Sequence, residues 1–290
     1  MCGAPGGGGR GNRWRSVPVK LAICNEVWRD RPIEAVFQTA ARIGFDGVEI
    51  APFTLAESVE MVSAARRREI ARAAADAGVQ IVGLHWLFVS PKGLHLTTPD
   101  AAVRSRTIEY LKALVDFCAD LGGRVMVLGS PKQRSVEPPN THADALRHAR
   151  DGLAACADLC AARGVAIGFE ALGPAETNFI NTAREAWELV EPIGHPNIGI
   201  MLDYKALSTM PGGPVEQIRE YGGRARHFHV NEPDGRGPGM SRPGTDFAPV
   251  LKVLFDTGFG GWVSVEPFDY TPDPDTVAQT AFRTLRAAWG

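Results

Sequence analysis

What the sequence lacks narrows the reading first. No apolar run approaches the roughly 18–20 residues that a membrane-crossing helix needs, so no membrane partner is expected. The five cysteines (Cys2, Cys24, Cys118, Cys156 and Cys160) show no disulfide framework. Cys156 and Cys160 stand in an Ala-rich helical stretch, where they read as small core residues more readily than as a metal or redox pair. A reducing, cytoplasmic setting is therefore expected. No basic stripe accompanies the net charge of −2, and Arg66-Arg67-Arg68 reads as a solvated helix face, so no nucleic-acid partner is expected. Residues 1–16, with Gly6–Gly9 and Arg10, Arg13 and Arg15, lack the apolar segment of a secretory signal and read as a disordered tail. No Gly-rich phosphate loop follows the first apolar run, which counts against a dinucleotide site.

What is present is a regular alternation. The chain has 290 residues, of which 44% are hydrophobic and 22% charged, enough to bury a large core. Strand-like runs fall at 19–24, 46–50, 79–84, 124–128, 165–170, 197–203, 225–230 and 262–266. Helical patterns lie between them at 32–43, 60–77, 100–121, 143–162, 183–190, about 215–221 and 247–257, with a last one at 275–289. Glycine stops follow several, Gly44, Gly78 and Gly164 among them. Apolar, non-alternating strands separated by helices argue for a parallel sheet. Eight such units, with no break in composition, predict a single α/β domain over 17–290: a closed (β/α)8 barrel, with an open doubly wound sheet as the alternative.

The stretch VAIGFEALGPAETNFINT, residues 165–182, shows where the chemistry lies. A short apolar strand ends on Glu170, the turn Leu172-Gly173-Pro174 follows, Glu176 sits in the loop, and Asn181-Thr182 caps the next helix. An ionised group at the end of a buried strand is unfavourable unless something pairs with it. Three later strands end similarly, on Asp203, near His229 and on Glu266, at spacings of 33, 26 and 37 residues. Each residue alone is explained by a backbone hydrogen bond. Together at successive strand ends, two Glu, one Asp and one His suit one divalent cation of the Mn²⁺, Mg²⁺ or Co²⁺ type better than a thiolate zinc site. In a barrel all four converge on one mouth.

The segments FEALGPAETNFINT, HFHVNEPDGRGPG and GWVSVEPFDY resemble the sugar phosphate isomerase/epimerase superfamily, the xylose-isomerase-like TIM barrels. Within it the chain is most similar to D-tagatose/D-psicose 3-epimerases and inosose-processing enzymes, over essentially everything after the tail. The resemblance implies that Glu170, Asp203, His229 and Glu266 are the metal ligands and that Glu176 contacts substrate. Two positions depart from the family pattern. The histidine three residues after the strand-six aspartate is Ala206, and the arginine six residues after the strand-seven histidine is Gly235, with Arg236 one further. These changes bear on which sugar is bound more than on the class of reaction.

An intact metal set implies proton transfer on an α-hydroxy ketone. The metal acts as a Lewis acid that stabilises an enediolate, while Glu170 and Glu266 serve as the catalytic acid and base. Epimerisation, aldose–ketose isomerisation and inosose-type dehydration all remain open on the same residues. The substrate is expected to be a small ketose or keto-cyclitol, and assembly into a homo-oligomer is left open. Glu176 binds a substrate hydroxyl or forms a structural salt bridge to a loop arginine. His85 is a substrate contact or a satisfied core histidine, and Trp86 is an apolar wall for a sugar face or plain packing. Arg236, in a Gly/Pro-rich loop able to act as a lid, binds a substrate end or is a solvated charge. Glu49 stays outside the catalytic set. An apurinic-site endonuclease would need further histidines, of which Ala206 removes one, and the mild acidity opposes DNA binding. A non-catalytic sugar-binding barrel would be favoured by loss of a metal carboxylate, and none is lost.

Overall fold

Each expected run becomes a parallel strand in the computed structural model, which describes residues 19–290. The tail expected over 1–16 lies outside the described residues. In chain order the elements are β1 (Leu21–Cys24), α1 (Ile33–Ile43), β2 (Gly47–Ile50), α2 (Ala64–Ala77), β3 (Gln80–Leu84), α3 (Ala101–Asp120), β4 (Val125–Leu128), α4 (His142–Arg163) and β5 (Ala166–Glu170). There follow α5 (Ala183–Val190), β6 (Ile198–Asp203), α6 (Tyr204–Leu207), α7 (Gly213–Tyr221), β7 (Ala225–Val230), α8 (Ala248–Asp256), β8 (Val263–Val265) and α9 (Pro274–Trp289). Neighbouring strands pair in sequence order, and β8 returns to β1 with Leu21 opposite Val263 and Ile23 opposite Val265. The sheet closes, so the chain is an α/β TIM barrel and not an open sheet.

Local chemistry explains where elements begin and end. The helix expected over 60–77 is divided: a 3-10 turn spans Val59–Met61, and α2 starts only after Ser63, whose side chain accepts from the Arg66 N–H at 3.2 Å. The short α6 is not anticipated from the sequence. It forms because Asp203 caps it, Oδ1 accepting from the Ala206 N–H at 2.7 Å. At the end of α4, Gly164 turns the chain at φ +64°, a left-handed conformation that other residues adopt only at a cost.

The strands are more two-faced than their apolar character suggests. In β5, Ile167 and Phe169 pack outward into the main core, while Gly168 and Glu170 alternate with them. In β7, Phe228 and Val230 face the core, and His227 and His229 take the interior positions. Toward the other end, Ala22, Val82 and Val125 form a separate small apolar cluster with Trp262 against it. The barrel is thus plugged with hydrocarbon at the N-terminal ends of its strands and lined with polar groups at the C-terminal ends.

The Asn181-Thr182 cap expected from the sequence forms in full. Thr182 Oγ1 accepts from the Glu185 N–H at 3.1 Å, and Glu185 Oε2 accepts in return from the N–H groups of Thr182 and Asn181. This box fixes the far end of the loop that carries Glu176. Thr182→Ala is expected to lower unfolding free energy by about 1 kcal/mol, with Thr182→Ser close to wild type, as read from urea unfolding of the two variants.

Candidate metal centre and the cleft above it

Glu170 ends β5, Asp203 ends β6, His229 is the penultimate residue of β7 and Glu266 follows β8. Closure of the sheet brings them together: one donor atom from each lies within 4.8 Å of those of the other three, and all four residues are buried. His229 Nδ1 comes to 2.9 Å from Glu266 Oε2 yet has no hydrogen-bond partner. Burial and the nearby Glu266 and Asp203 carboxylates push the Glu170 carboxyl well above its ordinary range. Burial and Glu266 raise Asp203 to about 6. For His229, burial favours the neutral ring, but the negative charges of Glu266 and Glu49 outweigh it and hold the imidazole well above its usual value. Three buried carboxylates around one unpartnered ring nitrogen want a positive charge, and oxygen and nitrogen donors in that ratio fit a divalent cation.

Several groups that the sequence reading passed over hold this arrangement. Glu49, at the C-terminal half of β2, is fully buried and accepts from His227 Nε2 at 2.8 Å and from His229 Nε2 at 3.1 Å. Burial alone would raise its pKa, but the two imidazoles reverse this and keep it well below the ordinary range. With Nε2–H committed to Glu49, His229 turns Nδ1 toward the carboxylates, where a bound cation would take the place of its proton. Asn231 Nδ2 donates to Asp203 Oδ2 at 2.9 Å and to the Glu266 carbonyl at 3.2 Å. Arg134, completely buried, donates from Nη1 to the carbonyls of Leu128 and Glu170 and so ties the ends of β4 and β5. Gly129 is required by space: a Cβ built there would overlap Glu170 Oε2. Glu49 was legible by the same strand-end logic as the other four. Asn231, Arg134 and Gly129 carry no such signal.

Above the quartet lies a narrow cleft of about 30 Å³, well below the roughly 300–1,000 Å³ of an open ligand pocket. Of the residues expected at the substrate, His85, Trp86 and Glu176 line it together with Glu170 and Glu266. His85 Nε2 lies 2.7 Å from Glu26 Oε2. Trp86 has φ +52°, an uncommon conformation for a bulky residue, and its ring stands edge-on to Phe268 at 6.3 Å. Glu176 is paired with Lys205 Nζ at 2.9 Å, so the partner is a lysine of α6 and not a loop arginine. Arg236 does not line the cleft: it is about half exposed and its Nε lies 3.3 Å from Asp269 Oδ2. Its loop is tied down by Glu232, which accepts from the N–H groups of Gly239 and Thr245 and from the Thr245 hydroxyl.

The fold and the buried quartet define a class, and the chain belongs to it: the model of the xylose isomerase-like TIM barrel family matches residues 37–288. The chain is similar to a probable ketose 3-epimerase of Synechocystis sp., with 24% identity covering 94% of this chain and 98% of that protein. It is also similar to a D-psicose 3-epimerase of Agrobacterium fabrum, with 27% identity covering 80% and 78% of the two chains. In fold it matches a crystal structure of D-psicose 3-epimerase in the presence of D-fructose, with a TM-score of 0.82 at 22% identity over 94% of this chain and all of that one. Among the described residues no helix is long and apolar enough to cross a membrane.

Two outcomes follow from the geometry. Glu49→Gln is expected to weaken metal binding by about 10–100-fold, measured by calorimetric titration, because His229 loses the partner that sets its tautomer. For the metal-free protein, a carboxyl whose folded pKa is raised binds more protons folded than unfolded. Stability therefore falls as pH rises from about 4 toward about 6, the window set by Asp203. A bound divalent cation removes that loss, so the metal-induced rise in Tm should be larger at pH 8 than at pH 5.

Proposed function

We propose that this protein is a divalent-metal-dependent epimerase or isomerase of a small ketose or keto-cyclitol. The observation that carries the reading is the buried quartet beneath the cleft, with Glu170 and Glu266 in both. Glu170, Asp203, His229 and Glu266 would hold the ion, with Mn²⁺ as first choice and Mg²⁺ or Co²⁺ as substitutes. When bound, the cation supplies Lewis acidity that makes a carbon-bound proton next to a carbonyl easier to remove. The proton itself is handled by the chain. Glu170 and Glu266 approach the same space from different strands, so one carboxylate can take a proton from one face of a carbon and the other can return one to the opposite face.

The remaining contacts would select and orient the sugar. Glu176 and Lys205, already paired, present an acceptor and a donor for hydroxyl groups on the far side of the cleft. Lys205 thereby offers a polar contact near the position where the family's imidazole is replaced by Ala206. His85 would bind a substrate oxygen, and the edge-on Trp86–Phe268 pair offers an apolar wall to a sugar face. Arg236, on the rim, would meet only the end of a substrate that projects from the mouth. The relatives' names suggest D-psicose, D-fructose and L-ribulose as first substrates to assay.

The test is isotopic. In D₂O, carboxylates exchange protons with solvent far faster than a turnover of about 10 s⁻¹, so product must carry deuterium on the carbon that changed configuration. Glu170→Gln and Glu266→Gln, each shown to retain metal, should stop the full reaction. Turnover without solvent deuterium in the product would sink the proton-transfer reading, as would full activity after exhaustive chelation. A carbonyl product lacking one water would move the assignment to dehydration on the same residues.

A further inference from the structure

A second set of buried donors lies beside the first. Cys24, Glu26, His85 and Glu266 also place one donor atom each within 4.8 Å of one another, and all four are buried. They come from the end of β1, the turn after it, the residue after β3 and the residue after β8, so only the closed barrel brings them together. Glu266 belongs to both sets. The approach of His85 Nε2 to Glu26 Oε2, at 2.7 Å, parallels that of His229 Nδ1 to Glu266 in the first set.

One donor of this second set lacks a hydrogen-bond partner. His85 has 1% side-chain exposure, and its Nδ1 makes no hydrogen bond. The Cys24 thiol, fully buried, lies 3.8 Å from Glu49 Oε2 and 3.7 Å from Ser264 Oγ and also contacts the rings of His85 and His229. Buried polar groups are ordinarily satisfied, and an exception calls for an explanation such as an ion.

We propose that Cys24, Glu26, His85 and Glu266 form a second divalent-cation site, with Glu266 bridging it to the first. One sulfur, one nitrogen and two carboxylates make a softer donor set than that of the first site, suited to Zn²⁺ or Co²⁺ ahead of Mg²⁺ or Mn²⁺. Binding exchanges the Cys24 S–H proton for the cation, and that proton leaves to solvent. Two ions sharing a carboxylate sit about 3.5–4 Å apart. The second ion would neutralise Glu26 and fix the His85 ring at the wall of the cleft. The inference rests on Glu266 being a ligand of the first site, whereas Asp203 belongs to the first site alone.

The chelator-stripped full-length protein is titrated with Co²⁺, followed by absorption and by metal content after gel filtration. Two equivalents per chain are expected, one of them with a thiolate-to-cobalt charge-transfer band. Cys24→Ser should abolish the band. His85→Gln and Glu26→Gln should each bring the content down to one equivalent, whereas Asp203→Asn should lose the other equivalent and keep the band. Wild-type protein that saturates at one equivalent without the band overturns the second site, and so does retention of the band in Cys24→Ser. If that single equivalent disappears in Asp203→Asn, the first site stands although the second has failed. Loss of the first-site reading would show differently, as cobalt binding untouched by Asp203→Asn.

Discussion

Carboxylates buried inside a closed barrel set the terms for the rest of this structure. Glu26, Glu49, Glu170, Asp203 and Glu266 all lie at the C-terminal end of the barrel with little or no access to water. Charges so placed are tolerated only when positive charge or hydrogen bonds meet them. Glu49 is met by His227 and His229, and Glu26 by His85. Asp203 accepts from Asn231 and from the Ala206 N–H, yet it still crowds with Glu170 and Glu266 around the one ring of His229. The raised pKa values of Glu170 and Asp203 register this imbalance. The same imbalance is what suits the cluster to a cation.

The supporting residues can be understood from that strain. Arg134 clamps the strand ends on which Glu170 rides, and Gly129 leaves room for its carboxylate. Asn231 reaches from the β7 exit to both Asp203 and the backbone of Glu266, so three strands are held in one register at the site. The apolar plug of Ala22, Val82 and Val125 closes the opposite end. Above the quartet the cleft walls are already paired, Glu176 with Lys205 and Trp86 against Phe268. The loop carrying Arg236 is held by Glu232 and Asp269. A mouth arranged in this way favours a small, hydroxyl-rich ligand that can replace existing polar contacts one for one.

Much of this was determined by the sequence alone. Hydrophobic runs of strand length between helical patterns, closed by glycines and caps, specify eight strand–helix units because burial and capping are local. The four strand-end residues of the buried quartet were legible for a related reason: an acid or imidazole that ends an apolar run stands out against its neighbours. Element boundaries were less legible, since Ser63 and Asp203 act as caps only once the chain has turned around them. The reading of the strands as apolar throughout missed the interior alternation of β7, where His227 and His229 sit on one face.

What only the tertiary structure decided are relations across the barrel. Glu49 and His229 are separated by 180 residues and meet only because the sheet closes. The pairings of Glu176 with Lys205 and of Arg236 with Asp269 depend on the paths of three different loops. The cluster of Cys24, Glu26, His85 and Glu266 has no linear signature at all. Sequence spacing reports where a side chain leaves its own strand. Which side chains then share a point depends on strand order, register and barrel closure, and those are properties of the folded sheet.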